Sequence, residues 1–119
     1  VNRDIVEIAK KLKNKGYNLF VLSNMANQTY EYFKNDEFFL LCTGIVISAQ
    51  EHVKKPEEKI YRLLLDRYGL NADECLFIDD DDSGKNYETA NRIGIKGRRI
   101  MPNQVEDVKK LLLEFNVKI

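Results

Sequence analysis

The sequence predicts an α/β domain: a mostly parallel sheet with flanking helices. Three observations carry that prediction. Short, nearly all-apolar runs occur at 18–22, 44–48 and 75–78, and a fourth strand is expected at about 95–100; amphipathic segments at helical spacing separate them; and polar residues suited to chemistry gather just after the runs. A short apolar run reads as a strand covered on both faces, and alternation of such strands with helices builds a parallel sheet.

The elements follow in order. From Asp4 to Lys15, Ile5, Ile8, Ala9 and Leu12 recur at helical spacing with lysines between them, and Gly16 supplies a C-terminal stop. Asn18-Leu19-Phe20-Val21-Leu22 is the first strand, ending in Ser23-Asn24. Asn27 can cap a helix through Tyr30 and Phe33, because its side-chain oxygen can accept from a free helical N–H. Gly44-Ile45-Val46-Ile47-Ser48 is the second strand. Pro56 suits the first turn of a helix in which Glu57 and Glu58 complement the dipole and Ile60, Leu63 and Leu64 face inward, with Gly69 ending it. Cys75-Leu76-Phe77-Ile78 is a third strand running into four consecutive aspartates. A helix through Tyr87, Ala90 and Ile93 stops at Gly94, a fourth strand covers about Ile95 to Ile100, and a last helix carries Val105, Val108, Leu111, Leu112 and Phe115.

Composition narrows the classes. At 119 residues the chain has room for one core. Hydrophobic residues at 44% and charged residues at 32% exclude disordered and fibrous classes. Nineteen basic and nineteen acidic residues cancel, so no global field favours nucleic acid or an anionic membrane. The basic cluster at Lys96, Arg98 and Arg99 is small. No apolar run approaches the roughly twenty residues that span a bilayer, which makes a cytoplasmic address the default expectation. Cys42 and Cys75 lie in apolar contexts and read as buried thiols rather than a disulfide.

In parallel α/β sheets the ligand lies beyond the carboxyl ends of the strands. Three such ends carry polar groups here: Ser23-Asn24, then Lys54-Lys55-Pro56 after the second strand, then Asp79-Asp80. A hydroxyl with backbone N–H groups can hold phosphoryl oxygens, and an ammonium can balance their charge. Paired carboxylates near an anion require a hard cation. Together they describe a Mg²⁺-dependent phosphoryl site. Taken singly, Ser-Asn is a common turn and Lys55 an ordinary surface lysine. Four adjacent carboxylates are less ordinary, because clustered like charge needs a cation or donors. An EF-hand reading of Asp79, Asp81, Ser83 and Gly84 fails, since Ala90 stands where a bidentate Glu is required. Gly84-Lys85-Asn86 lacks the first glycine and the hydroxyl residue of a phosphate-binding loop. His52 has no partner at ligand spacing.

These motifs in series resemble the haloacid dehalogenase-like (HAD) hydrolase superfamily, in the branch whose cap is inserted after the first motif. Gly16 through Asn24 resembles the second motif; Ser48 through Pro56 with Ile60-Tyr61 resembles the third, with Lys55 at the lysine's place. Leu76-Phe77-Ile78-Asp79-Asp80, then Asn86, Ala90 and Gly94-Ile95, resembles the fourth. The resemblance implies a Rossmann-like core and an Mg²⁺-dependent hydrolase of small phosphorylated metabolites. Ser23 and the Asn24 backbone would bind the phosphoryl group, Lys55 would neutralise its charge, and Asp80 would ligate magnesium with Asp79 either beside it or behind it, supporting the ligands.

Two departures stand out. Asn86 lies six residues after Asp80 where the family places about four. Either two residues are inserted or Asp81-Asp82 is the matching pair; direct attachment to the apolar strand favours Asp79-Asp80. The nucleophile strand, Asp-x-Asp-x-Thr or Val, has no counterpart before Ser23, and Asp4 sits in a helical pattern. The resemblance places that strand in mid-sheet and its first aspartate as the group that becomes phosphorylated. The expectation is therefore an incomplete core, residues 1–119, whose nucleophile strand and cap lie upstream and which alone is inactive. Its unpaired strand edges would take the upstream segment or a second copy. The competing class is a non-catalytic α/β module whose acidic loop binds a cation or partner.

Overall fold

A computed structural model describes residues 2–101 and 104–119. Helix α1 (Arg3–Asn14) is capped by Asn2, whose side chain accepts from the Asp4 N–H at 2.8 Å, and buries Val6, Ile8 and Ala9. Strand β1 (Phe20–Ser23) follows, then two short helices, α2 (Asn27–Phe33) and α3 (Glu37–Leu41). Strand β2 (Gly44–Ile47) runs straight into a single turn, α4 (Ser48–Glu51), and α5 (Glu58–Tyr68) leads through a 3₁₀ turn (Ala72–Glu74) to β3 (Leu76–Asp79). Helix α6 (Lys85–Arg92), strand β4 (Lys96–Arg99) and helix α7 (Val105–Glu114) complete the order.

The four strands form two parallel pairs. β1 pairs with β2, Phe20 opposite Gly44 and Ser23 opposite Ile47. β3 pairs with β4, Leu76 opposite Lys96 and Asp79 opposite Arg99. Among the described residues no ladder joins β1 to β3. Instead α5 unites the pairs: its Ile60, Tyr61 and Leu64 form one cluster with Val46, Ala90 and Ile95, against which Phe20, Leu22 and Phe77 pack. The α/β class and the parallel pairing agree with the sequence.

Coverage of the strands differs from the expectation. Val46 and Ile47 of β2 are fully buried, but β1 is half-buried throughout and Ile78 of β3 is exposed. Among the described residues each of β1 and β3 has a strand neighbour on one side only, which leaves the other edge without the cover that a central strand receives. β4 is an edge strand of another kind. Its Gly97 lies so close to α6 that a Cβ would stand 2.6 Å from the Tyr87 carbonyl. The Asn91 carboxamide pairs with that glycine as a strand would, accepting from its N–H at 2.8 Å and donating to its carbonyl at 3.2 Å.

Several element ends move. Asn27 is the first helical residue rather than the cap; Ala26 holds the cap position with no side-chain bond. Asp36, in the polar stretch between Phe33 and Phe38, accepts from the Phe38 N–H at 2.9 Å and so starts α3, a helix the sequence reading lacks. Ser48 leaves the second strand for α4, and Cys75 precedes β3. Pro56 lies outside α5, which begins at Glu58 behind Glu57, after a cis Lys55–Pro56 peptide. Cys42 and Cys75 are free thiols and half-buried rather than buried; burial still pushes the Cys42 thiol up to about 11. Arg98 stacks over Phe115 and Arg99 pairs with Asp82 at 2.6 Å, so this basic cluster is already engaged within the chain. Among the described residues no helix is long and apolar enough to cross a membrane.

Candidate active site

Three segments distant in sequence converge where β1 and β3 end. Ser23 closes β1, half-buried, and Asn24 follows it on the surface. The Asn24 carboxamide accepts from the Lys55 N–H at 2.8 Å and donates to the Lys55 carbonyl at 3.0 Å. This reciprocal clamp holds the loop beyond β2 against the end of β1. A second tie reinforces it, since the Ser48 hydroxyl at the start of α4 accepts from the Met25 N–H at 3.0 Å. Serine and asparagine favour such turns because their short side chains can replace backbone partners.

The clamp aims Lys55 across the gap between the strand pairs. Its Nζ lies 2.7 Å from Asp79 Oδ1, and both side chains are only 9% exposed. The ammonium also stands 5.6 Å from the centre of the Phe77 ring. Asp79 Oδ2 accepts from the Asp81 N–H at 3.0 Å and the Asn86 side chain at 2.9 Å. Asn86 in turn is anchored from behind: the buried Tyr61 hydroxyl donates to its carbonyl at 2.8 Å. Both oxygens of Asp79 are thus satisfied, the condition under which a buried carboxylate is tolerated. Burial pushes the Asp79 carboxyl up, but the hydrogen bonds from Lys55, Asn86 and the Asp81 backbone, with the Lys55 charge, outweigh it and hold the group below its ordinary range.

The other aspartates have separate fates. Asp80 is exposed and forms no ion pair among the described residues. Asp81 accepts from the Ser83 hydroxyl, and Asp82 pairs with Arg99. Like charge in this loop is therefore offset by Lys55, Arg99 and local donors. Among the described residues no three His, Cys, Asp or Glu side chains converge as a metal site. Among the described residues Asp80 has both oxygens open, Asp81 and Asp82 each have one engaged, and Asp79 has both engaged. The donor set suits a hard cation in kind, and is incomplete in number.

Of the residues singled out from sequence, Asn24, Lys55 and Asp79 are joined directly, and Ser23 and Asp80 flank them. His52 is exposed after α4, in a left-handed conformation, and takes no part. Phe77 and the Tyr61 hydroxyl were not anticipated as parts of the site. The signal for Tyr61 was a polar tip at a core-facing helical position, which a buried tyrosine must satisfy somewhere.

A family model for haloacid dehalogenase-like hydrolases matches residues 1–94. The chain belongs to that family. It is similar to bifunctional epoxide hydrolase 2 of Rattus norvegicus, with 26% identity over a match covering 80% of this chain and 18% of the relative. Among solved structures it resembles a HAD phosphatase from Thermococcus onnurineus, with TM-score 0.81 and 18% identity over 94% of this chain and 58% of the other. A HAD family enzyme from Bacteroides thetaiotaomicron, solved with magnesium and inorganic phosphate, gives TM-score 0.76 and 20% identity over 87% and 55%. The chain thus spans little more than half of these HAD structures and under a fifth of the epoxide hydrolase. The structural likenesses establish the Rossmann-like HAD fold.

Proposed function

We propose that residues 1–119 form the part of a HAD-like core carrying motifs two to four, within an Mg²⁺-dependent phosphatase or phosphotransferase of small phosphorylated metabolites. The observation that carries this reading is the convergence of Asn24, Lys55, Asp79 and Asn86 beyond the ends of β1 and β3. An ammonium held there by backbone clamping and a carboxylate is preorganised to meet phosphoryl charge, with little motion needed at the moment of reaction. Ser23 and the Asn24 N–H would hold phosphoryl oxygens. Asp80, with Asp79 beside it, would hold magnesium, which when bound neutralises charge on those oxygens. The contact of Asn86 with Asp79 supports Asp79-Asp80 as the motif pair over Asp81-Asp82. The magnesium and phosphate in the Bacteroides enzyme support the same cofactor here.

Among the described residues strands β1 and β3 each lack a neighbour on one side, and the ends of both contribute to one site. We assign the place between them to an upstream segment of the same protein carrying Asp-x-Asp, which would bring the nucleophile beside Lys55. The protein acts in the cytoplasm, with neither nucleic acid nor membrane as partner. The test is turnover of p-nitrophenyl phosphate by the protein extended upstream, with and without magnesium. Magnesium-dependent hydrolysis is expected. An upstream sequence lacking Asp-x-Asp, together with no turnover, would instead leave a non-catalytic module.

A further inference from the structure

Tyr61 is a buried polar group with no role in the reading above. It is fully buried on α5, yet two routes lead from it to Lys55. Its ring packs edge-on against Phe77, centroids 5.6 Å apart at 77°, and the Lys55 ammonium stands 5.6 Å from the same Phe77 ring. Its hydroxyl donates to the Asn86 carbonyl at 2.8 Å, and the Asn86 side chain donates to Asp79 Oδ2 at 2.9 Å, opposite the oxygen that takes Lys55. At the start of α6 the Ser83 hydroxyl accepts from the Lys85 N–H at 3.2 Å, but Gly84 at the cap offers no side chain, and the contact that reaches Asn86 from the core is the Tyr61 hydroxyl. A hydroxyl anchored in the core is therefore the rigid reference for Asn86, and Asn86 for Asp79.

We propose that the Tyr61 hydroxyl is a positioning group for Lys55, acting through Asn86 and Asp79. The proposal rests on reading Lys55 as the phosphate-binding lysine, but the lysine's placement can be read without phosphate. Tyr61→Phe keeps the ring and its contact with Phe77 and removes only the hydroxyl, so it separates the two routes. One hydrogen bond of ordinary net strength corresponds to roughly a three- to tenfold change in the population that holds Lys55 against Asp79.

The test is acylation of the 119-residue chain with an amine-directed reagent, with Lys55 and Lys54 quantified separately by mass spectrometry. Lys55 labelling relative to Lys54 should rise roughly three- to tenfold in Tyr61→Phe, and should stay at the wild-type ratio in Ile60→Val, which perturbs the neighbouring core position without touching the chain of bonds. Asn86→Ala should raise the ratio by itself, and adding Tyr61→Phe to it should change nothing more. A folded Tyr61→Phe chain with the wild-type ratio would overturn the proposal, as would equal effects from Ile60→Val or full additivity with Asn86→Ala. Loss of cooperative unfolding in Tyr61→Phe would overturn it too, since the hydroxyl would then be supporting the fold at large. If phosphate proves not to bind near Lys55 while the labelling follows this pattern, the proposed function fails and the positioning role stands.

Discussion

Replacing Asp79 with asparagine removes a charge from the centre of the site and leaves its shape nearly intact. In the wild-type chain the Lys55–Asp79 pair is 2.7 Å long with both side chains 9% exposed, and Asp79 takes two further donors. Removing one partner of a buried pair costs about 3–5 kcal/mol, because the other charge stays buried and unpaired. Asparagine retains one oxygen that can accept from Lys55, so the loss should fall near the low end, about 3 kcal/mol. That is a large share of a margin of about 5–15 kcal/mol, and for a domain of this size it lowers Tm by about 10 °C or more. The pH dependence has a definite sign. Asp79 titrates below its ordinary range when folded, so its contribution is complete above the unfolded value of about 3.9 and is lost as pH falls through the folded value. Urea unfolding of wild type and Asp79→Asn should therefore differ by about 3 kcal/mol at pH 7 and converge towards pH 2. Adding Lys55→Met to Asp79→Asn should recover part of the loss, since no buried charge then lacks a partner. Equal stabilities at pH 7, or a difference that persists unchanged at pH 2, would refute the argument that this pair is buried and coupled.

Other outcomes follow from the same geometry. The chain should bind Mg²⁺ weakly in calorimetric titration, because Asp80 is the one aspartate of the loop with both carboxylate oxygens open among the described residues, and Asp80→Asn should remove most of what binding there is; tight binding, or binding indifferent to Asp80→Asn, would contradict this. In the protein extended upstream, Lys55→Ala should lower kcat by about 10²-fold or more while Lys54→Ala, an exposed neighbour, leaves it within about twofold; matching kinetics would show the wrong lysine had been chosen. Gly97→Ala should cost about 1–3 kcal/mol in thermal unfolding, since the new methyl would stand 2.6 Å from the Tyr87 carbonyl on a helix that cannot retreat cheaply.

The parts of this fold that were legible in the sequence are those where burial and periodicity coincide. β2 is apolar because it is buried on both faces, and α5 shows its core face in Ile60 and Leu64. β4, Lys-Gly-Arg-Arg, is identified by its place after Gly94 rather than by hydropathy, because an edge strand clamped by Asn91 needs no apolar cover. The division of α2 from α3 was readable only as the polar stretch Lys34-Asn35-Asp36-Glu37 between two aromatic groups, where Asp36 caps a helix of five residues that shows too little periodicity to be read by itself. For the site, Ser23 and Asp79 at strand ends and Lys55 in the loop beyond β2 were readable as neighbours because the topology of a parallel sheet gathers those ends and loops on one side. The Asn24 clamp was not, because its partner lies 31 residues away and depends on the path of a loop. Neither was the choice between aspartate pairs, which rests on where the Asn86 side chain reaches after the turn at Gly84.

The most direct test of the account concerns the gap between β1 and β3. A synthetic peptide spanning the proposed Asp-x-Asp strand should bind the 119-residue chain, raise its melting temperature, and restore measurable magnesium-dependent hydrolysis of p-nitrophenyl phosphate. The same peptide with its first aspartate changed to asparagine should raise the melting temperature without restoring hydrolysis. A monomeric, cooperatively unfolding chain that ignores both peptides would contradict the account, because the edges of β1 and β3 would then need no further strand.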